Sequence, residues 1–345
     1  MPQITLEPGG HIFSCDADET ILSAALRSGF LIPYGCKNGA CGSCKGRIIA
    51  GTVVHGPHQA TTLPELEREQ GKCLFCVAKP LGNVVIEARD VRKAGDAVLK
   101  TLPSRIEHLD RVVDDVTIMR IKLPANERLQ YSAGQYLEFL LKDGKRRSFS
   151  MANAPHDDAL IELHIRHLPG GMFTDRVFGV TEPILKVRDI LRFEGAHGSF
   201  FLREESDKPI IMVASGTGFA PIKAIIEHMI HSEIKRKVTL YWGGRRPKDL
   251  YLDALARAWV DKFPAQFTYI PVISDALPED NWRGRTGFVH RAVISDFPDL
   301  SAHQVYVCGA PIVVDSARTE FVSKCGLPED EFFADSFVVA AANPG

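Results

Sequence analysis

The sequence predicts a multidomain chain of α+β and α/β class: a small N-terminal α+β unit, an antiparallel β-barrel, and a doubly wound nucleotide-binding fold. Three observations predict it. The chain has 345 residues, and at about 100–150 residues per domain that implies two or three cores. Between Leu102 and Arg203 short strand-like runs alternate with turn residues, as in an antiparallel barrel. From Lys208 onward continuous apolar strands alternate with helical stretches.

Residues 1–90 read as the α+β unit. Ile4–Glu7 alternates, Pro8-Gly9-Gly10 turns, and His11–Ser14 alternates again, which is a hairpin signature. Asp18-Glu19-Thr20 then precedes Ile21, Leu22, Ala25 and Leu26 at helical spacing, and Gly29 stops that helix. Gly46–Val54 and Val84–Glu87 close the unit as strands, with a short helix over Leu63–Glu67.

Within this unit Cys36, Cys41 and Cys44 stand as C-x4-C-x2-C, with Cys76 following in Leu74-Phe75-Cys76-Val77. That is the ligand spacing of a plant-type [2Fe–2S] cluster. Two ferric ions, two sulfides and four thiolates carry a net charge of roughly −2, so the loop must aim backbone N–H groups inward. Gly35, Gly39 and Gly42 supply the conformational freedom for that. A zinc knuckle is the alternative, but zinc sites usually repeat a short C-x2-C pair, whereas here the lone partner follows about thirty residues later. Cys73 competes with Cys76 for the fourth position, and Cys76 is the expected ligand.

Residues 91–101 are charged and without clear period, and read as a linker. The barrel is expected over 102–203, including strands at Val116–Leu123 and Gln135–Leu141. Over 204–345, Pro209–Ala214 is an apolar strand, Ser215-Gly216-Thr217-Gly218 a glycine-rich turn, and Pro221 opens a helix through Ile222, Ile225, Ile226 and Met229. Further strands are expected at Val238–Trp242, Phe267–Ile273 and Gln304–Cys308.

The barrel segment carries Arg147-Ser148-Phe149-Ser150, in which Arg147, Phe149 and Ser150 are expected to share one strand face. A cation, an aromatic and a hydroxyl suit the phosphate, ring system and N5 edge of a flavin. A solvated arginine beside a packed phenylalanine would read the same way. Downstream, Pro169-Gly170-Gly171-Met172-Phe173-Thr174 places paired glycines at a helix start, where free N–H groups suit a pyrophosphate. Gly216-Thr217-Gly218 lies between strand and helix, where a nicotinamide dinucleotide puts its pyrophosphate, although many such turns bind no nucleotide. Cys308 ends a strand at the edge where ligands of open α/β sheets collect; a buried small hydrophobe is its other reading.

Composition excludes several classes. The formal net charge is −2 and no run is rich in Lys or Arg, so no nucleic-acid partner and no anionic membrane surface is expected. The N-terminus lacks a basic stretch followed by an apolar one, and no apolar segment reaches the ~18–20 residues that span a bilayer, so the protein is expected to be cytoplasmic. Cys15, Cys73, Cys308 and Cys325 are scattered without a disulfide framework, which fits reduced thiols.

Taken in order, the cysteine loop, Arg147–Ser150, Gly170–Thr174, Gly195-Ala196-His197-Gly198-Ser199-Phe200, Gly216–Pro221 and Cys308-Gly309 resemble a known family along nearly the full chain. It is the family of oxidoreductases in which a plant-type [2Fe–2S] ferredoxin domain is fused to a ferredoxin–NADP reductase-like module. Within it the chain is most similar to the CDP-6-deoxy-Δ3,4-glucoseen reductases of dideoxysugar synthesis, and is similar too to reductase components of aromatic-ring oxygenases and phenol hydroxylases. The resemblance implies a β-grasp ferredoxin fold whose sheet grips one helix. It implies that Arg147, Phe149 and Ser150 bind FAD, that Arg166, Gly171, Met172 and Thr174 hold its phosphates, and that Gly216, Thr217 and Gly218 take the pyridine nucleotide. Cys308 would lie close to the nicotinamide, and Phe337, in competition with Phe332 and Phe333, would shield the flavin.

The activity implied is electron transfer from NADH through FAD and the cluster to an electron-acceptor protein, a sugar dehydratase or an oxygenase component, with release of reduced free flavin as the alternative. Arg245 and Arg246, after the second nucleotide-domain strand, could accept the 2′-phosphate of NADPH, whereas the resemblance favours NADH. Lys37 and Lys45 beside the cysteine loop could steer an acidic partner, or be solvated surface charges.

Overall fold

A computed structural model describes residues 1–93, 99–142 and 144–337. The chain divides into two compact units: residues 1–98 with 310–315 and 333–345, and residues 99–309 with 316–332.

Strand alternation builds the first unit. Ile4 and Leu6 in Gln3–Glu7, and Val84 and Ile86 in Val84–Glu87, are buried while their neighbours are not, so each strand turns one apolar face inward. The five-stranded sheet runs in the order His11–Ser14, Gln3–Glu7, Val84–Glu87, Lys45–Ala50, Lys72–Leu74. Gln3–Glu7 is antiparallel to its hairpin partner and parallel to Val84–Glu87. The helix Ile21–Arg27 starts where the Thr20 hydroxyl accepts the Ser23 N–H at 3.2 Å. It buries Ile21, Leu22, Ala24 and Ala25 in the same core as Ile4, Phe75 and Ile86.

Two local expectations change. The strand expected through Gly46–Val54 breaks at Gly51, whose φ of +91° favours glycine, and resumes as Val53–His55 against Ala78–Pro80. Of the expected linker, Arg92–Lys93 pairs with Phe30–Leu31, and Lys100 already begins the strand Lys100–Val113. Residues 94–98 lie outside the described residues.

The second unit opens with six antiparallel strands in the order Arg146–Ser150, Tyr136–Leu140, Ile190–His197, Lys100–Val113, Val116–Lys122, Ile161–Arg166. The two ends meet where Met151 bridges Leu163 and the Ala152 N–H donates to the Glu162 carbonyl at 2.8 Å, closing a barrel. Its core includes Ile106, Leu137, Phe139, Leu163 and Phe193.

The second sheet of this unit includes, in order, Arg285–Thr286, Phe267–Ile273, Val238–Gly244, Ile210–Ser215 and Gln304–Gly309. The pairings among these five strands are parallel. Ile210 to Ala214 are all buried, because helices cover both faces of such a sheet. Among the described residues no helix is long and apolar enough to cross a membrane.

Candidate functional site

The cysteine loop is built around sulfur. The Ala40 and Cys41 N–H groups donate to Cys36 Sγ at 3.4 and 3.3 Å, and the Cys36 N–H donates to Cys41 Sγ at 3.5 Å. Cys36 also hydrogen-bonds Cys41 through their side chains, which lowers the Cys41 thiol and raises that of Cys36. Cys44 is bonded in the same way to Cys76, and that bond together with burial raises it. Cys73 stands apart in the strand Lys72–Leu74, fully buried, its thiol pushed up to about 12 chiefly by burial. Backbone donors already aimed at converging sulfurs suit a four-thiolate iron–sulfur group. None of the eight cysteines, all of them among the described residues, forms a disulfide.

The glycines of this loop do two jobs. Gly39 and Gly42 have φ of +78° and +71°, whereas Gly35 is needed for space: a Cβ there would sit 3.0 Å from Asp335 Oδ1 and 3.2 Å from Cys41 Sγ. The Ser43 hydroxyl donates to the Ala334 carbonyl at 2.6 Å. Lys45 is not a steering charge, because its side chain is 9% exposed and paired with Glu67 at 2.7 Å. Lys37 lies over the Tyr34 ring at 5.6 Å.

On the barrel strand the three expected flavin residues do not share a face. Phe149 packs on Phe139 and Phe173, with ring centroids 5.9 and 5.2 Å away. On the opposite face Ser148 donates to Glu138 at 3.3 Å, and Arg146 bridges Glu138 at 3.1 Å and Glu194 at 2.6 Å. Period-two alternation puts Arg147 with Phe149, but Ser150, opposite Tyr136, with Ser148. Arg147 is half-buried and donates to the Arg146 carbonyl at 2.8 Å.

The paired glycines also depart from expectation. The Gly171 N–H donates to the Leu168 carbonyl at 2.8 Å and the Gly170 N–H to Asp175 Oδ2 at 3.1 Å, so neither is free for an anion. The Thr174 hydroxyl donates to the Leu168 carbonyl at 3.0 Å, and the helix Thr174–Val177 is a single turn. The tight loop satisfies its own amides. Met172 is 43% exposed.

At the nucleotide turn, Gly216–Gly218 leads into the helix Phe219–His231. A Cβ on Gly218 would lie 2.1 Å from the Cys308 carbonyl oxygen, so only glycine lets the strand Gln304–Gly309 approach this closely. The Trp242 indole N–H donates to the Gly216 carbonyl at 3.0 Å while its ring stacks on Phe219 at 3.8 Å, bracing the turn. Cys308 itself is fully buried, in register with Ala214. The Arg166 guanidinium lies 3.3 Å from where a Gly216 Cβ would stand. Among the described residues its Nε and Nη2 are buried without a hydrogen bond, and Asp115 Oδ2 lies 3.4 Å from Nε. Orphaned donors over a glycine turn at the start of a helix fit a phosphate anion.

Sequence reasoning missed a buried polar cluster beside this turn. Lys223 Nζ donates to the Ala152 carbonyl at 3.0 Å and to Glu227 at 3.0 Å, and lies 3.2 Å from Glu162 Oε1. Glu162 also faces Arg120 Nη2 at 2.9 Å and His164 Nε2 at 3.0 Å, and His164 Nδ1 is 2.8 Å from the Tyr251 hydroxyl. Burial alone would raise Glu162, but His164, Lys223 and Arg120 hold it well below 4.5. Burial lowers His164, keeping it neutral. The available signal was Lys223 inside the apolar run Ile222–Ile226.

At the far end of the chain Phe332 is fully buried beneath the Arg318 guanidinium at 4.4 Å, and Phe333 and Phe337 are half-buried. Residues 338–345, which trail beyond Phe337, lie outside the described residues.

A sulfur-lined loop, a closed barrel and a parallel sheet with a glycine turn define an iron–sulfur flavoprotein oxidoreductase that uses a pyridine nucleotide. Family models match in the same order: a 2Fe-2S iron-sulfur cluster binding domain over residues 4–81, an oxidoreductase FAD-binding domain over 103–202, and an oxidoreductase NAD-binding domain over 212–319. The chain is 39% identical over 335 residues to the CDP-6-deoxy-L-threo-D-glycero-4-hexulose-3-dehydrase reductase of Yersinia pseudotuberculosis serotype I, covering 97% of this chain and 98% of that one. It is 35% identical to reductase component 1 of the terephthalate 1,2-dioxygenase of Comamonas sp, covering 98% of both chains. Among solved structures, an Amycolatopsis cytochrome P450 reductase matches with a TM-score of 0.77 at 29% identity, over 99% of this chain and 100% of that one. The chain belongs to the family of NAD(P)H-dependent reductases that join a [2Fe–2S] ferredoxin domain to FAD- and NAD-binding domains, and is an electron-transfer reductase.

Proposed function

We propose that this chain takes electrons from NADH and delivers them to a separate protein, the dehydratase of CDP-3,6-dideoxysugar synthesis. The observation that supports this partner is the 39% identity, over 97% of the chain, to a reductase named for a CDP-6-deoxy-hexulose dehydrase. An oxygenase component is the second reading, supported by 35% identity to a dioxygenase reductase.

In this reading Cys36, Cys41, Cys44 and Cys76 ligate the [2Fe–2S] cluster, and the N–H groups of Ala40 and Cys41 stabilise its sulfur charge. Arg147 neutralises a phosphate of FAD, Phe149 packs beside its ring system, and Ser150 offers a hydroxyl at its edge. Gly171, Met172 and Thr174 shape the loop beside the FAD phosphates, with the charge carried by Arg147 because the Gly170 and Gly171 amides are engaged. Gly216, Thr217 and Gly218 seat the pyridine nucleotide and Cys308 lines the nicotinamide side; Arg166, which the resemblance assigns to the FAD phosphates, is reassigned to the pyrophosphate of the pyridine nucleotide because its guanidinium lies against Gly216. Bound FAD supplies the exchange between the two electrons of a hydride and the single electrons an iron–sulfur centre accepts.

The test is stopped-flow mixing of NADH-reduced, anaerobic protein with purified dehydratase, with an oxygenase component, and with free flavin. Reoxidation accelerated by the dehydratase alone is the expected result. Preferential transfer to the oxygenase component would reassign the partner, and loss of FAD on gel filtration with turnover only toward added flavin would overturn the protein-acceptor reading.

A further inference from the structure

The second strand of the nucleotide sheet in chain order, Val238–Gly244, is followed by Arg245 and Arg246. Two arginines at this corner are what a ribose 2′-phosphate would need. The fold commits one of them elsewhere.

Arg246 forks onto Asp280, with Nε to Oδ2 at 2.6 Å and Nη2 to Oδ1 at 2.7 Å, and Glu279 Oε1 lies 3.4 Å from the same Nη2. Two parallel charge-assisted bonds are the strongest geometry a guanidinium has. Asp280 is itself fixed, since its Oδ2 accepts the Leu277 N–H at 2.9 Å. Arg245 is 81% exposed and faces Asp275 at 3.9 Å.

The loops behind these side chains are tied together, so the arrangement is not a matter of loose surface charges. The Ser274 N–H donates to the Gly244 carbonyl and the Asp275 N–H to the Arg245 carbonyl, each at 3.0 Å. Asp249 Oδ2 accepts the backbone N–H groups of Arg245 and Arg246 at 2.8 and 3.0 Å. Residues 245–249 and 274–280 hold four acids, Asp249, Asp275, Glu279 and Asp280, against three bases, Arg245, Arg246 and Lys248, which is a net charge of −1 over these two segments. A 2′-phosphate brings about −1.5 to −2 more. To receive it, Arg246 would have to leave a bidentate partner.

We propose that the Arg246–Asp280 clamp sets coenzyme choice, so that the site selects a nucleotide with a free ribose 2′-hydroxyl, and that Asp280 is the specificity-determining residue. The inference rests on the reading that Gly216–Gly218 seats a pyridine nucleotide.

The experiment is calorimetric titration of the full-length, cofactor-loaded protein with NAD+ and NADP+, and with 5′-AMP and 2′,5′-ADP as fragments that isolate the 2′-phosphate. Wild type is expected to prefer NAD+. Asp280→Asn should shift the ratio of the two dissociation constants toward NADP+ by about 10- to 100-fold, the scale of one or two freed charge-assisted hydrogen bonds. Adding Arg246→Ala to that variant should cancel the gain, and Arg246→Ala alone should give no shift toward NADP+. A wild type that prefers NADP+, or an Asp280→Asn protein that binds NAD+ with an unchanged ratio, overturns the proposal. Wild type that binds none of the four probes removes the reading of the turn itself, and the proposal with it.

Discussion

Lys223→Met should destabilise the second unit and shift its acid limb. Each ammonium proton of Lys223 has an acceptor in reach: Ala152 O at 3.0 Å, Glu227 Oε1 at 2.9 Å and Glu162 Oε1 at 3.2 Å. Removing one partner of a buried ion pair costs about 3–5 kcal/mol when the other charge is left uncompensated. Glu162 keeps the Arg120 charge and a hydrogen bond with His164, so the expected loss is roughly half of that, about 2 kcal/mol. For a unit of this size that corresponds to a fall in Tm of about 4–8 °C.

The sign of the pH effect follows from Glu162. Its native pKa is depressed below 4.5, so it contributes stability above that pH and loses it as the pH falls through the native value. Without Lys223 the native value rises, and the acid limb must begin at a higher pH. All three tryptophans, Trp242, Trp259 and Trp282, lie in the second unit, so fluorescence-detected urea unfolding reports on it selectively. A double-mutant cycle with Glu162→Gln should return a coupling of about 1–2 kcal/mol. A loss under about 0.5 kcal/mol at pH 7, or acid limbs that coincide, would refute the reasoning.

Three further outcomes are expected. Cys76→Ser should lose the cluster's visible absorption and acid-labile sulfide, whereas Cys73→Ser should retain both, because only Cys76 is bonded to Cys44; the reverse pattern would exchange their roles. Arg166→Met should weaken NAD+ binding about 10- to 100-fold in equilibrium titration, with FAD content unchanged, since its guanidinium, whose Nε and Nη2 make no hydrogen bond among the described residues, lies against Gly216. Gly218→Ala should cut NADH-dependent flavin reduction by more than about tenfold while leaving the cluster spectrum intact, because a Cβ 2.1 Å from the Cys308 carbonyl forces the turn away from its strand.

Much of the site was legible because its signals are local. The cysteine spacing, the apolar run before Gly216-Thr217-Gly218 and the hairpin at Pro8-Gly9-Gly10 each depend on neighbours a few residues apart. Even the misplacement of Ser150 could have been avoided by alternation alone, since position 150 has the opposite parity to 147 and 149. The amides of Gly170 and Gly171 were harder, because whether an N–H is free depends on how the loop folds back onto Asp175.

By itself, then, the order of residues determined the cofactor-binding chemistry, because metal ligands and phosphate turns are encoded in short spacings. Tertiary structure alone decided which charges are available to a ligand. Lys45 meets Glu67, Arg246 meets Asp280, and Lys223 meets Glu162 only after segments between about twenty and sixty residues apart come together. In each case the ion pair, rather than the identity of the cation, settles what the side chain can still bind, and no pattern along the chain specifies that pairing.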